Sequence, residues 1–216
     1  MKLSTTLPAL ILTAFIFSCN STKITSSWRA ENATKKPYRN IMVWGLLAEK
    51  DSSLRYQMET HLVNDLIGKG YRAFASTDVY KAKAYKKITS AEILDEFKNT
   101  GIDAVITIAL LSKEKEEKFY PGGYQRIPSY YTGNLDKYYS GIYERIFTPG
   151  YYITSTTYFW ESSLFELPGA AMTYCVRTKS FDPLTSEKLA HENGLQIIKD
   201  MVKKKLILNS SSQQDK

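Results

Sequence analysis

The chain is poor in the residues that carry most protein chemistry. Its 216 residues include two cysteines, Cys19 and Cys175, and two histidines, His61 and His191. That scarcity excludes a disulfide scaffold. No Cys-x-x-Cys, His-Glu-x-x-His or calcium-loop pattern occurs, and no Gly-x-Ser-x-Gly elbow. The one glycine pair in a turn setting, "PGGY", lacks the spacing of a phosphate loop and reads as a turn. No apolar run reaches the roughly 20 residues a bilayer-spanning helix needs.

The few chemically able side chains have ordinary readings. His61 stands on the flank of an expected helix, four residues before Asp65, which suits an i,i+4 contact. His191 is followed by Glu192, but adjacent helix residues do not face each other. Cys175 lies in an expected strand with Arg177 two residues on. A reactive thiol needs a cationic, accessible setting, and a small strand residue is the simpler reading. Carboxylates are plentiful but scattered. We therefore expect no catalytic residue, no cofactor and no metal site.

The amino terminus, "MKLSTTLPALILTAFIFSCNST", has a basic start and an apolar stretch, Leu7 to Phe17. That pairing reads as an export signal. Its end, "IFSC", resembles the signals of bacterial lipoproteins, in which a small residue precedes a cysteine that is lipidated and becomes the new amino terminus. Ser18, Cys19 and Ile16 match; Phe17 is larger than usual. The resemblance implies a signal peptide over residues 1–18 and lipidation at Cys19. The partner so implied is a membrane, held through acyl chains without a spanning helix. Cys175 is then the only remaining thiol.

The formal charge is +7. Lysines are interleaved with acids, as in "SKEKEEK", which is how solvated faces look. The expectation is weak attraction to anionic surfaces and no nucleic-acid partner. Oligomeric state is left open.

Residues 19–38 are polar and read as a tether, with Trp28 as the exception, a ring that could dock onto the domain. The domain, residues 39–208, opens with "NIMVWGLL", apolar on both faces as in a covered parallel strand. Leu54, Met58, Leu62 and Leu66 form a helical stripe that Val63 and Ile67 widen, and Gly70 suits its left-handed end. "YRAFAS" predicts a short strand. "TSAE", from Thr89 to Glu92, is a capping box for a helix that faces Ile93, Leu94 and Phe97 inward. "DAVITIALL" predicts a third strand, and "KEKEEKF" carries it out into solvent. The order predicts parallel pairing through crossovers. "YYITSTTYFWESSLFEL" and "AMTYCVRTKSF", joined at Pro168–Gly169, predict an antiparallel hairpin. A last helix is expected from Ser186 to Leu206 with Leu189, Leu195, Ile198 and Val202 inward, then a disordered tail over 209–216. The fold class is α/β: one domain with a parallel β-α-β-α-β core, an antiparallel hairpin and a carboxy-terminal helix.

Between the core and the hairpin lies an insertion, residues 119–151, too long for a routine connection. Nine of the sixteen tyrosines fall between Tyr120 and Tyr152, punctuated by Arg126, Lys137 and Arg145. Three readings stay open: a structural flap, a recognition surface, and either disorder or contact with a membrane surface. Tyrosine offers large contact area at low entropic cost. Candidate binding residues are Tyr124, Arg126, Tyr130, Tyr131, Tyr138, Tyr139 and Tyr143.

"SCNSTKITSSW", "NIMVWGLL", "GIDAVITIALL", the Tyr/Gly-rich insertion and the strand ending in "TKSFDP" together resemble a group of small bacterial envelope lipoproteins. The similarity covers nearly the whole chain after Cys19. It implies an α/β domain similar to the amino-terminal domain of TolB and related envelope-assembly lipoproteins. The "ELPGAAMTYC" turn departs from that group's usual acidic–Gly–Lys turn. What the resemblance implies is a non-enzymatic, lipid-anchored binding or assembly module on the periplasmic side of the outer membrane, with an envelope protein or polymer as partner. The competing expectation is an enzyme acting on an envelope glycan, with acids near the insertion.

Overall fold

The structure is a computed structural model that describes residues 21–33, 38–80, 97, 100–121, 134–139, 149–167 and 169–207. The signal segment, Cys19, the capping box with Ile93 and Leu94, and the tail over 209–216 lie outside these residues.

The strands are β1 (Thr22–Arg29), β2 (Asn40–Leu46), β3 (Arg72–Ala75), β4 (Ala104–Tyr120), β5 (Tyr151–Glu166) and β6 (Ala171–Phe181). The helices are α1 (Ser52–Gly68), α2 (Ser76–Tyr80) and α3 (Ser186–Lys203). The six strands make one mixed sheet in the order β1-β6-β5-β4-β2-β3. β2 pairs in parallel with β3 and β4, while β4–β5, β5–β6 and β6–β1 are antiparallel. This is the expected α/β domain, with the hairpin extending the parallel core.

One boundary is corrected. Residues 22–29, expected within a tether, form β1, the edge strand beside β6. Its amphipathic signal is weak because few apolar side chains line its inner face and an irregularity between Ile24 and Ser26 breaks the alternation. Thr22 is buried and Ile24 packs on the core, but Ser27 and Arg29 are tied down by polar partners instead. Trp28 stands opposite Cys175 with 48% of its surface exposed, on a paired strand and not on a loose segment.

The alternation along β2 explains why it is apolar on both faces. Ile41 and Val43 join the main core with Leu54, Met58, Leu62 and Leu66 of α1 and Leu189, Ile197 and Met201 of α3. Met42 turns the other way, onto Val105, Ile102 and Phe97. β4 repeats the pattern, with Ala104, Ile106 and Ile108 toward the main core. Successive strand side chains point to opposite faces, so such a strand needs cover on both.

α1 uses the expected stripe, but Ile67 is exposed. Gly70 has φ +88°, the left-handed end that glycine adopts freely. α3 starts where Thr185 accepts a 3.0 Å hydrogen bond from the Lys188 amide. Leu189 and Ile198 are buried as expected, but the centre of the buried face is turned. Ile197 and Met201 are fully buried, and Leu195 is only half-buried. The close crossing with α1 sets that rotation. Gly194 sits so near Leu62 and Asp65 that a Cβ there would come within 2.8 Å of Asp65 Oδ2.

Candidate functional site

β4 and β5 outrun the rest of the sheet. The last pair between β5 and β6 is Thr157 with Phe181. Beyond it, residues 151–156 of β5 continue paired with 115–120 of β4 as a bare two-stranded ribbon. At about 3.3 Å per residue it projects about 20 Å. Asp182 clamps its base: the Asp182 amide donates to Thr156 O at 2.7 Å, and Asp182 Oδ1 accepts from the Thr156 amide at 3.2 Å.

The ribbon changes character along its length. Its shaft, residues 113–118, mixes three lysines with three glutamates and is exposed. Its end carries Phe119, Tyr120, Tyr151, Tyr152 and Ile153, all exposed. Register places Phe119 beside Tyr152 on one face, their rings 4.9 Å apart, and Tyr120 beside Tyr151 on the other, stacked at 5.5 Å. The Lys118 ammonium lies 5.2 Å from the Tyr120 ring centre. Cross-strand aromatic pairs stabilise such a ribbon, yet half or more of Phe119, Tyr151 and Tyr152 faces solvent.

Of the candidate binding residues, Tyr138 and Tyr139 are exposed in a short helical stretch at 135–139. Tyr124, Arg126, Tyr130, Tyr131 and Tyr143 lie outside the described residues, as does Cys19. The bounds of the insertion move inward: Phe119, Tyr120 and Tyr151 belong to paired strands. Sequence reading missed the ribbon end as a unit. The available signal was that "KEKEEKFY" and "YYITSTTY" match in length on either side of the insertion.

The buried acids are occupied within the fold. Glu59 Oε1 accepts from the Gly45 amide and Ser76 Oγ, both at 2.7 Å, and Oε2 from the Thr77 amide and Oγ1, both at 2.9 Å. Gly45 leaves room for this: a Cβ would lie 3.0 Å from Glu59 Oε1 and closer still to Arg55. Asp200 Oδ2 accepts from Ser27 Oγ and from Tyr174 Oη, the latter at 2.9 Å. Burial, and then the Asp200 carboxylate, push the Tyr174 phenol up. Tyr38 is pushed up likewise, by burial and by its 2.8 Å hydrogen bond to Glu166. Among the described residues, the acids nearest the insertion, Glu114, Glu116, Glu117 and Asp136, are exposed instead.

The two histidines meet across the α1–α3 contact, ring centres 5.8 Å apart. Burial raises the Asp65 carboxyl above its ordinary 3.8, against the opposing pull of His191, His61 and Lys69. Its Oδ2 is buried without a hydrogen bond among the described residues. Those residues contain no group of three or more His, Cys, Asp or Glu arranged to hold a metal ion. Cys175 is free and half-buried. An open groove of about 460 Å³ lies beside the carboxyl ends of β2 and the parallel part of β4, lined by Lys50, Asp51, Leu110 and Lys113 among others. No described helix is long and apolar enough to cross a membrane.

No family model and no curated protein matches the chain. Among solved structures it is similar to the PelC dodecamer from Paraburkholderia phytofirmans, at 8% identity and TM-score 0.45, over 82% of this chain and 94% of that one. It is also similar to lipoprotein GNA1162 from Neisseria meningitidis, at 14% identity and TM-score 0.43, over 76% of this chain and 99% of that one. At such scores neither likeness carries an argument about function.

Proposed function

We propose that the protein is a lipid-anchored, non-enzymatic module of the bacterial cell envelope, held at the outer membrane on its periplasmic side through Cys19. Its working part is a contact surface: the aromatic end of the β4–β5 ribbon together with the tyrosines of the insertion that joins its strands. The observation that carries this reading is the ribbon itself. A charged, solvated shaft delivers five exposed apolar or aromatic side chains well beyond the sheet, and exposed aromatic patches of this kind mark contact sites. The buried carboxylates support it, since Glu59, Glu192 and Asp200 each serve a hydrogen bond inside the fold. The partners we propose for the insertion are an envelope protein or polymer.

Two measurements on one set of strains test it. Cys19→Ser moves the protein out of the membrane fraction; retention there refutes the anchor. Changing Tyr130, Tyr131, Tyr138 and Tyr139 to Ser lowers recovery of envelope partners in pull-downs; equal recovery refutes the contact surface.

A further inference from the structure

We propose that the end of the β4–β5 ribbon is a second membrane contact, seated in the headgroup region of the same bilayer that holds the Cys19 acyl chains. This inference rests on the anchor reading above and names the partner of the strand-borne part of that surface.

Topology places the anchor and the ribbon end on one side of the molecule. β1 begins at Thr22 opposite Ser180, the carboxyl end of β6. Ser21 is already part of the domain. Its carbonyl accepts from the Phe181 amide at 3.0 Å, and its amide and hydroxyl donate to Glu192 Oε2 at 2.8 and 2.6 Å. Only Asn20 then separates Cys19 from a fixed residue, so the lipidated residue stands at most about 7 Å from Ser21. The domain hangs directly on its anchor with no tether between.

The ribbon leaves this same end. β5 lies two strands from β1, about 10 Å across the sheet. Its end projects about 20 Å past the level of Phe181, farther than Cys19 can reach in that direction. With acyl chains buried in lipid at such short range, the surface nearest the bilayer among the described residues is the ribbon end and the rim below it. That rim also exposes apolar side chains: Phe181, and Leu184 at 83% exposure.

The composition suits that position. Phenylalanine, tyrosine and isoleucine occupy both ribbon faces at the end, so rotation about the ribbon axis does not hide them. Tyrosine settles where an apolar ring can enter lipid while its hydroxyl stays wet. Lys118 stands where the aromatic end meets the charged shaft, and its ammonium can reach lipid phosphates. The shaft behind it carries equal numbers of lysines and glutamates between 113 and 118 and stays in water. The acyl chains supply the affinity, and the ribbon end adds an interfacial contact that fixes the orientation of the domain on the bilayer.

The test uses the full lipidated chain in vesicles of phosphatidylethanolamine and phosphatidylglycerol. An environment-sensitive fluorophore is placed at Tyr152→Cys, at Ile153→Cys, or at Met172→Cys near the opposite end of the sheet, each in a Cys175→Ser background. Intact mass first reports acylation of Cys19. With acyl chains present, positions 152 and 153 shift to shorter emission wavelength and lose intensity with brominated lipids. Position 172 responds only to aqueous iodide. Acylated protein whose positions 152 and 153 both behave like 172 overturns the ribbon contact and leaves the anchor standing; a ribbon engaged by a protein partner instead gives this result. Absence of acyl chains overturns the anchor, and the ribbon contact with it.

Discussion

Glu59→Ala should be among the most damaging single changes in the domain. The carboxylate is fully buried and joins three elements. It caps the end of β2 through the Gly45 amide and the β3–α2 junction through Ser76 and Thr77, all from the middle of α1. Removing it strands the Gly45 amide, which cannot turn to another acceptor, and leaves the buried Ser76 hydroxyl unmatched. Thr77 is nearer the surface and re-pairs with water. At about 1–3 kcal/mol for each buried donor left unmade, the expected cost is about 3–5 kcal/mol, a large part of the roughly 5–15 kcal/mol that holds a domain folded. Urea unfolding followed by circular dichroism measures it. With a slope near 2 kcal/mol per molar, the midpoint falls by about 2 M with the slope unchanged. Glu59→Gln keeps one acceptor oxygen but turns an amide group on the other donors, so it should fall between. An alanine variant within 1 kcal/mol of the parent would falsify the claim that this network holds the strand ends together.

Three further outcomes follow from buried groups. Because burial raises the Asp65 carboxyl above its ordinary 3.8, its folded form binds protons more readily than the unfolded chain. The resulting penalty is complete above the folded value and vanishes as pH falls below 3.8. Asp65→Asn should therefore stabilise at neutral pH and bring no gain in strong acid, measured as melting temperature against pH; a uniform loss refutes the assignment. Trp160 is buried with its indole N–H unpartnered among the described residues, so Trp160→Phe should change stability by only about 1 kcal/mol while Trp160→Ala costs about 3–5 kcal/mol. Glu192→Ala removes both side-chain bonds to Ser21 and should speed amide exchange at Ser21 by about tenfold or more. Unchanged exchange would show that the Phe181 contact alone fixes the strand.

Local pattern was enough for the core of the fold. The two-sided apolar runs of β2 and β4 can exist only where both faces are covered, and the Leu54–Met58–Leu62–Leu66 spacing closes on one helix face. Gly70 marks its helix end by chemistry that acts within a few residues. The charged run after Leu111 reads as an exposed strand because mixed lysine and glutamate tolerate solvent on both faces. The concentration of tyrosine between the core and the hairpin was also legible, as composition.

Only tertiary structure decided the rest. Thr22–Arg29 looks like linker because its stability comes from β6 and from Glu192 and Asp200, residues about 150 to 175 positions away. α3 buries Ile197 and Met201 ahead of Leu195 because Gly194 lets α1 approach at one rotation. The ribbon exists because β5 continues along β4 after β6 has ended, a difference in strand length across a sheet that no window of sequence contains. Sequence alone determined that this chain carries an α/β core and a store of tyrosine. Long-range pairing decided that Thr22–Arg29 is a fixed edge strand and that the aromatic end of the ribbon leaves the sheet at the end where that strand begins.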